Sequence, residues 1–226
     1  MTLNLETLTL SAGCHPSPDE GACVMEAVSF VAREPWSDHP VCASAVIGAF
    51  LRSWNDELNN DDRNRLLKPL VPALVGTAGT PEQEDTRVWM ALDWLVRVCT
   101  PVWLRAAGLL DHADRLEALP ELHVGMDVPS FRATIDAVRS DAAAAWAAAE
   151  AEPGDASWVA SMVASWVASW AEPEAVARDA AWAAAGVASR YALRPTIEQL
   201  QVSAMELVER MIAVTEVHSS KMGSNN

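Results

Sequence analysis

Pro195-Thr196-Ile197-Glu198-Gln199-Leu200-Gln201-Val202-Ser203-Ala204-Met205-Glu206-Leu207-Val208-Glu209-Arg210-Met211-Ile212-Ala213-Val214 sets the fold class. Ile197, Leu200, Ala204, Leu207, Val208, Met211 and Val214 recur at spacings of three and four, the period of a helix with one buried face. Pro195 suits the first turn, where its missing N–H costs nothing. The polar tail from Ser219 to Asn226 has no such stripe and reads as a frayed end.

The same period recurs upstream. Thr80-Pro81-Glu82-Gln83 is a capping box, and it opens a helix with Val88, Leu92, Leu95, Val96 and Cys99 inward. Thr100-Pro101 reads as the start of another helix, ending near Gly108. A polar helical turn follows from Asp111 to Leu119, then a loop from Glu121 to Pro129. Val46, Ile47, Phe50, Leu51 and Trp54 mark an earlier helix. Leu66, Leu67, Leu70, Val71 and Leu74 mark another, which Pro69 and Pro72 break into short or kinked pieces. Ser17-Pro18-Asp19-Glu20 carries a further capping signature, predicting a helix from there to about Arg33. Leu3, Leu5, Leu8 and Leu10 alternate loosely, as an extended arm or a strand whose partner is not evident.

Between residues 142 and 192, 22 of 51 positions are Ala. Glu152-Pro153-Gly154-Asp155 and Glu172-Pro173-Glu174 divide this stretch into three helices. Trp158, Met162, Trp166 and Trp170 follow a four-residue step along one helical row, with Val159, Val163 and Val167 beside it. Small Ala residues let helices approach, and Trp fills the space between them. The row reads first as a core face, with an exposed strip for a partner helix as the alternative. Ala156 to Ala171 is the longest uncharged apolar stretch. It falls short of the ~20 residues a membrane span needs.

The whole is an all-α expectation: roughly eight to ten helices in a bundle-like array with a short N-terminal arm. A helical body over 1–129 leads to Ala/Trp hairpins and a C-terminal helix over 130–218. The two parts share one core, with a flexible tail at 219–226.

The 31 acidic residues against 16 basic give a formal charge of −15. Nucleic-acid binding by phosphate neutralisation needs the opposite sign, so no direct nucleic-acid partner is expected. The start, MTLNLETLTL, has no basic n-region and no continuous apolar stretch, so no secretory signal is read there. Cys14, Cys23, Cys42 and Cys99 then read as reduced thiols in a cytoplasmic protein without a membrane partner.

One cluster could carry chemistry. It runs Gly13-Cys14-His15-Pro16-Ser17-Pro18-Asp19-Glu20-Gly21-Ala22-Cys23-Val24-Met25-Glu26, then Ser37-Asp38-His39-Pro40-Val41-Cys42. His15 (or Cys14), Cys23, His39 and Cys42 are the candidate zinc ligands, although the spacing matches no standard zinc motif. Cys23, with His39 or His15 as base, is a candidate nucleophile. It lies about six residues beyond the expected helix cap, where the helix dipole has faded. Glu26 completes the catalytic candidates. A carboxylate in an apolar helix needs a partner such as Arg52 or a backbone turn, and Asp38 could pair with it near His15. The bland alternative makes Cys23 and Cys42 small core residues and His15 and His39 braces of turns. Gly76-Thr77-Ala78-Gly79-Thr80 has no Lys and no preceding strand, so it reads as an interhelical loop and not a phosphate loop. No Gly-x-Ser-x-Gly, His-Glu-x-x-His or dinucleotide fingerprint occurs.

The run from His15 to Val28, with Ser37-Asp38-His39-Pro40 and Cys42, resembles a group of proteins from actinobacteria and their phages. The ending from Pro195 through Met211 is also similar. In that group an Ala-rich middle of variable length separates the two ends. The resemblance implies a GC-rich actinobacterial or phage origin and no particular activity. The functional expectation is therefore a non-enzymatic interaction or accessory protein that binds a protein partner or itself through helical surfaces, with no cofactor. The alternatives are a zinc-binding or Cys/His-dependent enzyme and an acidic DNA mimic. The mimic is weakened because the charge is spread, with −10 of the −15 in residues 1–141.

Overall fold

The computed structural model describes residues 5, 7–106, 108–126 and 194–214. The expected Ala/Trp hairpins, including Trp158, Trp166 and Trp170, lie outside these residues, as do the domain boundary near 129 and the tail. Among the described residues every regular element is helical and no strand occurs. The full count of eight to ten rests partly on residues outside that set.

The helices are α1 (Val24–Val31), α2 (Ala45–Glu57), α3 (Asn60–Leu66), α4 (Val71–Leu74), α5 (Pro81–Trp94), α6 (Thr100–Ala106), α7 (Leu110–Glu117) and α8 (Arg194–Ile212). A 3-10 turn at Lys68–Leu70 joins α3 to α4, where Pro69 and Pro72 interrupt a longer helix.

The Thr80 capping box forms as the sequence implies. The Thr80 hydroxyl accepts from Gln83 N–H, and the Gln83 side chain accepts from Thr80 N–H. The helix it opens does not stop at Thr100-Pro101. It passes through a π turn at Leu95–Cys99 into α6. Pro101 lacks an N–H and its ring crowds the carbonyl four residues back. The wider turn relieves that conflict: Thr100 directs both its N–H and its hydroxyl (2.7 Å) to Leu95 O.

One core serves all these helices. Trp54, Trp94, Trp103 and Phe50 are its largest fully buried apolar side chains, with Leu51 and Leu95 among those next in size. Phe50 meets Trp54 and Trp94 edge-on, with ring centroids 5.6 and 6.5 Å apart. The C-terminal helix belongs to this core. Ile197, Leu200, Ala204, Leu207, Val208 and Met211 are all buried in it, so the predicted stripe forms as far as Met211; Val214 lies beyond the helix end and is half-buried. Trp94 Nε1 donates to Ser203 Oγ at 3.1 Å, tying α5 to α8.

A polar clamp completes the attachment of α8. Arg87 is 2 % exposed. Its Nε donates to Met211 O (3.0 Å) and its Nη2 to Val214 O (3.2 Å), at the C-terminal end of α8. There they satisfy carbonyls that the helix cannot. Arg87 Nη1 pairs with Glu84 Oε1 at 2.5 Å, while Glu84 Oε2 accepts from Ser44 Oγ and Val46 N at the start of α2. A cation thus serves one helix C-terminus and an anion another helix N-terminus, each at the end its charge favours.

The N-terminal arm forms no regular element from Leu8 on, and Leu8 and Leu10 are buried. The partner missing from the sequence reading is a side chain. Asn64 Oδ1 accepts from Leu10 N (2.7 Å), and Asn64 Nδ2 donates to Leu10 O (3.1 Å). The α3 amide therefore offers the donor and acceptor that a neighbouring strand would supply.

A candidate functional site around Glu26

The helix expected to be capped by Ser17 starts six residues later. Ser17 to Glu20 forms only a turn, with Glu20 N on Ser17 O. Gly21 ends it at φ +135°, a left-handed backbone that no helix uses. The true N-cap of α1 is Cys23. Its Sγ accepts from Glu26 N–H (3.4 Å), and Glu26 Oε2 accepts from Cys23 N–H (2.7 Å). It is a capping box with sulfur in place of the usual hydroxyl.

That cap makes Glu26, 1 % exposed, the centre of the cluster. Its Oε1 also accepts from His15 N (2.5 Å), and its Oε2 lies 2.8 Å from His15 Nδ1. Three N–H groups converge on two carboxylate oxygens. Because a carboxylate only accepts, Nδ1 is assigned the ring proton, and in the neutral imidazole Nε2 is then an acceptor. Ser11 Oγ sits 2.9 Å from that nitrogen. Ser11, His15 and Glu26 are thus joined in one line of hydrogen bonds.

The surroundings hold this line in place. Ser11 N donates to Ala22 O (2.8 Å), and Ala22 N donates to Ser11 Oγ (3.3 Å). Asn55 of α2 bridges the same two segments: its Nδ2 donates to Ser11 O (2.8 Å), and its Oδ1 accepts from Val24 N (3.2 Å). Trp36 Nε1 donates to His15 O at 2.8 Å. Gly21 is required for space as well as backbone. A Cβ there would lie 2.5 Å from His15 Cδ2 and 2.8 Å from Ser11 Oγ.

Of the residues singled out from sequence, the fold gathers His15, Cys23 and Glu26. It does not bring Arg52 to Glu26; Arg52 Nη1 donates to Asp38 O instead. Nor do the two carboxylates pair, since Asp38 Oδ1 lies 2.8 Å from His39 Nδ1 on an exposed turn. Cys42 is half-buried in the next loop, where its carbonyl accepts from Ala78 N. Cys14 is exposed. Among the described residues, no three His, Cys, Asp or Glu side chains are grouped to hold a metal ion. Cys23 sits at the favourable end of α1, yet burial, aided by the nearby Glu26 charge, pushes its thiol up to about 12. Burial likewise pushes the Cys42 thiol up, and the fully buried Cys99 thiol well up.

Ser11, Gly21, Trp36 and Asn55 were not singled out from sequence. The available signal was His15 eleven residues ahead of a carboxylate inside an apolar helix, which demanded a donor for that carboxylate. Among the described residues no helix is long and apolar enough to cross a membrane. The class that fold and site define is an all-helical protein with a buried, carboxylate-centred N-terminal clasp. No family model, curated protein or solved structure matches the chain.

Proposed function

We propose that this chain is an interaction or accessory protein, of actinobacterial or phage origin, that binds a protein partner with a basic surface. One observation carries the reading. On the outward face of α8, flanked by exposed Arg194, which pairs with Glu198 (3.3 Å), and by exposed Arg210, stand Glu198, Val202, Glu206 and Glu209, all exposed, with Val202 60 % exposed. Their spacing of four, four and three keeps them on one face, opposite the buried stripe of the same helix. An acidic row with an apolar residue at its middle suits a basic surface with a small apolar depression: the charges steer the encounter and Val202 fills the contact.

The distribution of cations supports the same reading. Arg65, Arg87, Arg97, Arg105 and Arg194 are paired with carboxylates of the chain, Arg63 is buried on the carbonyls of Asn55 and Leu58, and Arg33 and Arg210 are exposed. Asp61, Glu82, Asp85, Asp111 and Glu121 remain exposed. The Cys23-nucleophile alternative is opposed by a thiol held protonated at neutral pH.

The direct test places a photo-crosslinking residue at Val202 in the full chain, expressed in an actinobacterial host. The expected result is one discrete adduct with a basic protein, lost at high salt and on reversal of Glu206 and Glu209 to Lys. An adduct only with a second copy of the chain would replace the partner with self-association. No adduct, or one indifferent to charge reversal, would remove the reading.

A further inference from the structure

We infer that Ser11, His15 and Glu26 form an acyl-transfer site, with Ser11 as nucleophile, His15 as general base and Glu26 as the carboxylate that fixes the imidazole. Ser11 Oγ lies 2.9 Å from His15 Nε2, and His15 Nδ1 lies 2.8 Å from Glu26 Oε2. These are the contacts by which a serine, a histidine and a buried carboxylate divide this chemistry on unrelated folds. Three features go beyond what a bracing role requires. The two other N–H groups on Glu26 lock the carboxylate on the far side of the ring. With the Nδ1 side of the ring turned to Glu26, Nε2 is the nitrogen that faces the hydroxyl, the position a general base needs. Ser11 and His15 are also only partly buried, the His15 side chain being 12 % exposed, whereas Glu26 is sealed beneath them. The N–H of Ala12, next after the nucleophile and exposed, donates to no group among the described residues and is available to an oxyanion.

The substrate class is a carboxylic ester or thioester presented from solvent. Ser11 Oγ adds to the acyl carbon while His15 Nε2 takes the hydroxyl proton. The tetrahedral adduct collapses, and the departing alkoxide or thiolate leaves with that proton from Nε2. Water then adds to the acyl-serine, again giving its proton to Nε2. The second adduct releases the acid, and Ser11 Oγ recovers its hydrogen from His15.

The same bonds also brace the arm against α1, so the test must separate chemistry from support. The full chain is treated with a fluorophosphonate probe, the adduct is mapped by peptide mass spectrometry, and p-nitrophenyl acetate hydrolysis is followed in parallel. The expected result is a stoichiometric adduct on Ser11. Ser11→Ala should abolish it. His15→Asn should slow labelling and hydrolysis at least 100-fold while circular dichroism stays native, and Ser17→Ala should change neither. If His15→Asn fails to fold, burst kinetics decide: one p-nitrophenolate released per wild-type chain as the acetyl group stays on Ser11, and no burst from Ser11→Ala. A probe that leaves Ser11 unmodified, or that labels it equally in folded His15→Asn, overturns the proposal and leaves the three residues as a structural clasp.

Discussion

Replacing Glu26 with Gln keeps the size of a buried side chain and changes only what it can bond. The carboxylate takes one N–H on Oε1 (His15 N, 2.5 Å) and two on Oε2 (Cys23 N, 2.7 Å; His15 Nδ1, 2.8 Å). A carboxamide has one acceptor oxygen and one NH2 donor. The less costly orientation puts its oxygen at the Oε2 position, so that NH2 meets the His15 N–H. That opposed pair of donors costs about 1–3 kcal/mol, and two charge-assisted bonds become neutral ones, each weaker by about 1 kcal/mol. The expected loss is about 3–5 kcal/mol, a large share of the roughly 5–15 kcal/mol that a folded domain commands. Urea unfolding followed by circular dichroism reads it directly. With a slope of about 2 kcal/mol/M, the midpoint falls by about 1.5–2.5 M. His15→Ala should make the Gln substitution less damaging, because one of the two weakened bonds has then already gone. A midpoint shift below about 0.3 M would refute the reasoning, since it corresponds to less than a single lost hydrogen bond.

Four further outcomes follow from other parts of the fold. Gly21→Ala forces a left-handed residue and a contact of 2.5 Å on His15, and should cost about 2–5 kcal/mol in the same urea assay. Arg87→Met strips Glu84 of its cation and Met211 O and Val214 O of their donors; about 3 kcal/mol is expected, with loss of amide protection first in α8 by hydrogen exchange. A disulfide reagent at pH 8 should modify the exposed Cys14 quickly and Cys42 slowly, reaching Cys23 and Cys99 only in denaturant, because burial raises those two thiols. Burial pushes the Asp62 carboxyl up, but hydrogen bonds from Arg65, Asn59 and Gln201 outweigh it and hold it below the usual range; its contribution is therefore present above the ordinary carboxylate pKa and is lost as pH falls through the lowered one, so Asp62→Asn should be less stable than the wild type at pH 7 and equal to it in strong acid.

How far the sequence discloses this molecule depends on how far each signal reaches along the chain. The Thr80 capping box is legible because all its bonds close within four residues, and the stripe of α8 because one helix face needs no knowledge of its neighbour. The start of α1 is not legible, because Ser17-Pro18-Asp19-Glu20 imitates a cap while cysteine seldom acts as one; Gly21 decides between them through a backbone angle that composition does not display. Glu26 could be recognised as needing donors, but His15 reaches it through irregular backbone whose path no periodicity describes. Arg87 looks like an ordinary residue of α5, yet its two carbonyl partners lie 124 and 127 positions away. The Pro101 conflict is visible in sequence, but its resolution by a wider turn, rather than by a break, depends on the core packed around it.

That wider turn has a consequence for how the chain tolerates length change. Ala91, Leu95, Cys99 and Trp103 are all buried at a repeat of four, which in an α-helix of 3.6 residues per turn would wander round the axis by about 40° at each step. The i→i−5 bond at Leu95–Cys99 winds more chain into one turn and brings the repeat back into line. In genetic terms the segment holds one residue in reserve. Excising it would return the helix to ordinary winding and leave Trp103 and Leu104 in phase with the core they now fill, whereas a residue deleted from an ordinary turn of α5 or α6 would swing everything beyond it by about 100°. Leu95, Val96 and Cys99 are held by the core they fill, so along this helix the π turn is the place that can give up a residue without changing the phase of those that follow.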